Sequence, residues 1–362
     1  MTPNVMKPQV GAPRSTFRES QTTVSNQRPS TIDDVARLSG YSVATVSRAL
    51  RGLPNVAPAT RARIEEAADR LQYQPDPAAI GLATGRSRAV VMALPNLSSW
   101  YFGQIMAGAE AVLSESGHDL LVFTLPPTAD KRLESFRSPT VARAAGFIMV
   151  DLQFSSQEAM TLQATGLELV SIGTSIGGFG TVRIDDIGVA EMAVTHLTEL
   201  GHRRIGLLAG QNDDPFHFDV PRERQLGYRS ALIQAGIPLD QDLEQPGNFS
   251  VQGGADAMNT LLDLDDPPTA VFAMSDEMAF GAMQAARSRN LVVPDDLSLV
   301  GVDNHDLAPV VGLTTIDQSA DEHGVLAAGL LIERLAGDSP DPVNLQAPIR
   351  LITRQSTAPP PS

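Results

Sequence analysis

The sequence predicts a small all-α head followed by a larger α/β body built as two lobes. Three observations carry that reading. Residues 30–75 hold three short segments with apolar side chains at helical spacing, separated by Gly and Pro punctuation. From Arg88 onward, short apolar runs alternate with longer amphipathic stretches, the rhythm of βαβ units. The charge changes sign at the same place: residues 1–87 carry eleven Lys and Arg against seven Asp and Glu, and residues 88–362 sixteen against thirty-five.

The total of -15 taken alone argues for solubility and against nucleic acid. The split reverses this for the head, which is basic and attracts phosphate locally while the body repels it. A length of 362 residues with 42% hydrophobic side chains suits two or three domains and a sizeable core. There is no cysteine, which removes disulfides and thiolate metal sites and fits a reducing cytosol. The six histidines show no paired spacing on a helix, so no metal and no cofactor is expected. Residues 1–30 contain no apolar h-region of a signal peptide, and no apolar run approaches the length of a membrane span. The expected location is cytoplasmic.

Residues 1–29, rich in Pro, Ser, Thr, Gln and Asn, read as a disordered tail. Thr31 can N-cap a first helix, with Asp34 at N3, and Ile32, Val35, Ala36 and Leu38 are expected to supply its buried side. Gly40 and Tyr41 break the chain. Ser42 caps a second helix whose Val46, Ala49 and Leu50 can face the first. Pro58 suits the first turn of a third helix, with Ile64, Ala67, Ala68 and Leu71 as its core stripe and Tyr73 as packing. Two short helices joined by a tight Gly turn and braced by a third describe a helix-turn-helix unit, a pattern that other small helical bundles share. Pro75 and Pro77 then mark a joint.

In the body the apolar runs are AVVMAL (89–94), DLLVF (119–123), GFIMV (146–150), LELVSI (167–172), RRIGLLAG (203–210), TAVFAM (269–274) and LSLVGV (297–302), with a helical stretch over 100–116 after the first. Such runs are buried parallel strands, and their number points to two lobes. Gly178-Phe179-Gly180 lacks the rest of a dinucleotide fingerprint and reads as a turn before a strand, and His202 as part of a helix-to-strand connection. Neither HExxH, GxSxG nor a P-loop occurs, so no catalytic residue is assigned and the chain is not read as an enzyme. The closing TAPPPS reads as a frayed terminus.

TIDDVARLSGYSVATVSRALRG, continued by NVAPATRARIEEAADRLQYQPD, resembles the DNA-binding head of the LacI/GalR (lactose/galactose repressor) family, from Thr31 to about Ser87. The resemblance implies that the second helix enters the major groove. Thr31, Ser42, Thr45 and Ser47 then fall at phosphate or groove-edge positions, Val43, Ala44 and Arg48 at base positions, and Asn55 at a backbone or base contact. Arg48 can pair bidentately with guanine N7 and O6 or hold a phosphate, and Val43 and Ala44 offer only apolar contact, for example to thymine methyls. DPAAIGLATGRS (76–87) matches the family's hinge helix, with Ala79 and Leu82 on one face and Leu82 at the position that wedges between base steps; the alternative is a linker whose Leu82 packs on the body. Asp76 stands where the family usually has Asn, and Gly81 weakens a helix by about 1 kcal/mol relative to Ala.

The body resembles the effector core of the same family, through NLSSWYFGQIMAGAEAVLSESGHDLLVF, RIDDIGVAEMAVTHLTELGHRRIGLLAG, RERQLGYRSALIQAGI, PTAVFAMSDEMAFGAM, VPDDLSLVGVDN and LTTIDQ. That core is similar to periplasmic sugar-binding proteins (type I): two Rossmann-like lobes with a ligand cleft between them. The implied division is head 30–75, hinge 76–87 and core 88–358, its N-lobe about 88–187 and 317–345 and its C-lobe about 188–316 and 346–358. Positions matching effector contacts are Tyr101, Phe102, Arg224, Phe249, Ser275, Asp276 and Asp303, Ser275 departing from the usual Asn. Arg224 and Asp303 can bond ligand hydroxyls or a heterocycle, or brace the cleft loops; Trp100 lies beside the cleft or packs on the lobe surface. The acidic, aromatic stretch 211–221 reads as a solvated loop or a lid.

The resemblance thus implies a homodimeric or tetrameric repressor on double-stranded, palindromic operator DNA, with affinity set by a small-molecule effector, a carbohydrate in most of the family. Two other readings remain: a solute-binding protein without a regulatory role, which would lack the head, and an α/β enzyme, which would need a catalytic constellation.

Overall fold

The computed structural model describes residues 30–73, 87–210, 218–337 and 341–361. They fall into two compact units, residues 30–73 in the first and the rest in the second. The N-terminal tail, the hinge positions Asp76, Ala79, Gly81 and Leu82, and residues 211–217 lie outside the described residues.

The first unit is three helices, α1 (Ile32–Ser39), α2 (Val43–Leu50) and α3 (Pro58–Arg70). Asp34 closes the start of α1 by accepting hydrogen bonds from the Thr31 amide at 3.0 Å and its hydroxyl at 2.8 Å. Gly40, at φ +78°, ends α1 in the left-handed region that a side chain resists, and its amide caps Ala36 O. Two residues on, Ser42 Oγ accepts from the Thr45 amide at 3.3 Å and opens α2. Val35, Val46, Ala49, Ile64, Ala67 and Ala68 form the core, with Ile32, Ala36, Leu50, Leu71 and Tyr73 half-buried around it. Leu38 departs from expectation: it is 44% exposed, and the buried seam runs 32, 35, 36 and 39, so Ser39 takes the inner place. The Ser30 hydroxyl donates to Leu71 O at 2.8 Å and ties the two ends of the unit together.

The second unit holds two six-stranded sheets. The first combines β1 (Ala89–Leu94), β2 (Asp119–Thr124), β3 (Gly146–Val150), β4 (Glu168–Ile172), β5 (Gly180–Arg183) and β11 (Asn344–Gln346) in the spatial order β11-β5-β4-β3-β1-β2, all parallel. Successive β1 side chains alternate between two cores. Val90, Met92 and Leu94 pack with Ile105 and Leu113 of α4 (Trp100–Glu115) and Leu331 of α13 (Ala320–Ala336). Val91 and Ala93 pack with Phe136 of α5 (Ala129–Phe136), Val141 of α6 (Pro139–Ala142) and Leu162 of α7 (Ser156–Gln163). Burial on both faces is why the strand reads as an unbroken apolar run.

The second sheet combines β6 (Ile205–Ala209), β7 (Glu244–Pro246), β8 (Ala270–Ala273), β9 (Ser298–Val302), β10 (Thr314–Asp317) and β12 (Arg350–Ile352) in the order β12-β10-β9-β8-β6-β7. Its helices are α8 (Asp186–Glu199), α9 (Val220–Gln234), α10 (Val251–Leu262), α11 (Asp276–Ser288) and the short α12 (Ala308–Val311) around one continuous core. The chain passes between the lobes three times, after β5, after β10 and after β11. The C-terminus is not frayed through Ala358. Ser356 is buried, with its hydroxyl 2.6 Å from Leu299 O, and Ala358 O meets Nε2 of His202 at 2.9 Å, fixing the connection into β6. Among the described residues no helix is long and apolar enough to cross a membrane, and no group of three or more His, Asp or Glu is placed to hold a metal ion.

Candidate functional site

Two surfaces concern function. In the first unit, α2 turns Ser42, Val43, Ala44 and Arg48 to the outside, with Thr45 and Ser47 half-buried along its edge. The Ser42 and Thr45 hydroxyls lie 2.9 Å apart, and Arg48 Nε donates back to Ala44 O at 3.1 Å, a bond to its own helix that the side chain can exchange for another acceptor. Asn55 is exposed in the loop before α3, at φ +73°. Arg61 donates to Leu53 O at 2.8 Å and steadies that loop. Thr31 is half-buried in its cap.

The second surface is a cleft between the lobes, about 370 Å³, at the carboxyl ends of the strands of both sheets, where open α/β sheets place their ligand sites. Tyr101, Phe102, Arg224, Phe249, Ser275 and Asp303 line it together. Asp276 does not. It is fully buried behind the wall, accepting from the Thr315 hydroxyl at 2.7 Å and the His305 amide at 2.8 Å. Burial and the nearby Asp303 push the Asp276 carboxyl well above its ordinary range.

Arg224 is held on both sides. Its Nε donates to Asp186 Oδ1 at 2.8 Å and its Nη1 to Met274 O at 2.5 Å, with both charged side chains almost fully buried. Burial raises Asp186 against the pull of Arg224. Asp303, at φ +123° after β9, accepts from Gln318 Nε2, and burial pushes its carboxyl up to about 7. Ser275 caps α11, its Oγ accepting from the Met278 amide at 3.3 Å. The apolar wall includes two aromatic pairs, Tyr101 with Phe102 at 5.4 Å and Phe218 with Phe249 at 5.7 Å between ring centroids. Trp100 sits at the rim rather than in the lining: its ring stacks on His305 of the other lobe at 4.7 Å, and Nε1 donates to Asp306 at 3.2 Å.

The wall residues that sequence reasoning missed include the charged and polar Asp151, Arg183, Asp186, Glu277, Gln318 and His323. Asp151 follows β3 directly and Gln318 follows β10, so their position just past a buried strand was the available signal. Nothing in the local pattern marks His323, on the first turn of α13.

Residues 31–76 match the family described as bacterial regulatory proteins, lacI family, and residues 194–357 a periplasmic binding protein-like domain. The chain is similar to the HTH-type transcriptional repressor CytR of Escherichia coli K12, with 33% identity over 90% of this chain and 96% of that one. Among solved structures it resembles a CelR–cellobiose complex, with 30% identity, a TM-score of 0.66, and 91% of this chain and 100% of that one covered. It also resembles the lac repressor dimer bound to operator and the anti-inducer ONPF, with 26% identity, a TM-score of 0.81 and the same coverage. With the matched head, the two-lobed core and identity sustained along nine-tenths of its length, the chain belongs to the LacI family of bacterial regulatory proteins.

Proposed function

We propose that the chain is an effector-controlled transcriptional repressor, acting in the cytoplasm as a homodimer on a palindromic operator. The observation that carries this reading is the presence, in one chain, of a helix-turn-helix unit with an outward-facing α2 and a cleft whose walls come from both lobes. On DNA, α2 lies in the major groove. Arg48 leaves Ala44 O for a guanine edge, Val43 and Ala44 make apolar contacts, and Ser42, Thr45, Ser47, Thr31 and Asn55 set register on phosphates and groove edges. In the core, Arg224 and Asp303 bond ligand hydroxyls while Tyr101, Phe102 and Phe249 stack on its apolar face. The cellobiose bound by the similar CelR supports a carbohydrate-type effector. A ligand that binds one lobe arrangement better than the other shifts their populations, and DNA affinity shifts with them. No catalytic role is proposed for the cleft.

Gel shifts on a palindromic probe, with and without effector, test the reading. A specific complex whose affinity changes with ligand is expected, and no specific complex under any ligand condition overturns it. Arg48→Ala is expected to lose about 1–3 kcal/mol of discrimination between operator and mismatched DNA.

A further inference from the structure

Among the described residues, three buried side-chain atoms have no hydrogen-bond partner: Asp151 Oδ1 and the two ring nitrogens of His323. Both residues line the cleft, one from the end of β3 and one from the start of α13. Buried polar groups are nearly always bonded, so two exceptions on the wall of one cavity point to bonds that a ligand completes.

The charge on the wall says which ligand. The charge of Arg224 is matched by Asp186, although its remaining donors still face the cleft, and Arg183 pairs with Glu223 at 3.3 Å. Asp151, Asp303 and Glu277 are left with no cation paired to them among the described residues. Burial holds His323 down at about 4, against the pull of the Gln318 backbone, so it is neutral and offers a ligand hydroxyl one acceptor nitrogen. The two aromatic pairs on the wall suit a cation as well as a sugar face. We propose, resting on the effector-cleft reading above, that the cleft selects an amino sugar, its ammonium group on Asp151 and a hydroxyl on His323, and rejects sugar phosphates and uronates.

Asp151 also supplies a signature. Burial and the Asp186 charge push its carboxyl up to about 7, against the pull of Arg224, with Tyr101 facing it from α4. A bound cation ionises that carboxyl, so binding at about pH 6, where the free amine is already charged, releases a proton.

Calorimetric titration of the full chain tests the proposal, using D-glucosamine, D-galactosamine and D-mannosamine, each beside its parent hexose and hexose 6-phosphate, in two buffers of different ionisation enthalpy. At least one amino hexose is expected to bind about tenfold or more tighter than its parent, with proton release, while the phosphates stay silent. In Asp151→Asn, with folding checked by its melting temperature, the amino hexose falls to the affinity of its parent. Parent or phosphate binding as tight as the amine, binding without proton release, or an undiminished preference in Asp151→Asn overturns the proposal. Silence from every amino hexose overturns the ligand class alone, because the gel shift tests the regulatory reading separately.

Discussion

The two lobes follow one plan: six strands in the same spatial order, each with a late edge strand from near the C-terminus, β11 parallel to its neighbour in one lobe and β12 antiparallel in the other. They finish the cleft differently. On the C-lobe side Arg224, Asp186 and Met274 O satisfy one another, Asp303 takes Gln318, and Ser275 caps a helix. On the N-lobe side Asp151 Oδ1 has no partner and the His323 ring has only the Gln318 backbone within weak reach, next to Tyr101 and Phe102. The difference teaches that one wall satisfies its own polar groups while the other leaves some of them unsatisfied, a cost in stability that the first wall does not carry.

The strongest way to break that comparison is Arg224→Ala. It leaves the Asp186 carboxylate buried and unpaired, and a loss of about 3–5 kcal/mol in urea unfolding is expected. A loss near zero would mean the C-lobe wall is no better organised than its counterpart. On the N-lobe side the sign reverses. Asp151, raised to about 7, keeps in the fold a proton that the unfolded chain gives up, so stability is lost as pH rises from about 4 to 7. Asp151→Asn is expected to remove that slope and to gain about 3 kcal/mol above it, read as unfolding midpoints across pH.

His323 runs the other way. Held at about 4, it refuses in the fold a proton that the unfolded chain accepts below about 6.5, so its contribution is lost as pH falls through that window. His323→Leu is expected to gain about 2 kcal/mol at pH near 5 relative to neutral, measured the same way. The smallest effect lies at the rim, where His305→Ala removes the face on which Trp100 stacks. A cost of about 1 kcal/mol and a red shift in the emission of the only tryptophan are expected.

Most of the fold was legible because strands buried on both faces leave continuous apolar runs: the runs naming β1, β3, β4, β6, β8 and β9 match those strands to within a residue or two at either end, while DLLVF marks the edge strand β2, none of whose residues is fully buried. The three-residue edge strands β7, β11 and β12 bury too little to leave that mark. Leu38 misled because it sits one position off the buried seam, and TAPPPS because polar, proline-rich composition does not show that Thr357 and Ala358 bond His196, His202 and Ser298 far away in sequence. In the cleft, six of the seven residues matched by resemblance lie on the wall, and Asp276 braces it from behind. The unmatched Asp151 and His323 are isolated polar residues in ordinary surroundings. Only the fold, by burying them without partners, makes them conspicuous.

The contact between α4 and α13 has a mechanical consequence. A Cβ at Gly108 would approach Asp321 O to 2.0 Å, and one at Gly324 would approach Ile105 O to 2.0 Å, so the two helices touch backbone to backbone. No compressible layer of side chains separates them there, and rotamer changes cannot absorb a push. Tyr101 and Phe102 ride on one helix and His323 on the other, so a ligand pressing on any of them displaces a stiff double rod. α13 alone, at 17 residues, reaches about 25 Å. A shift of either helix at the cleft must therefore carry the other with it.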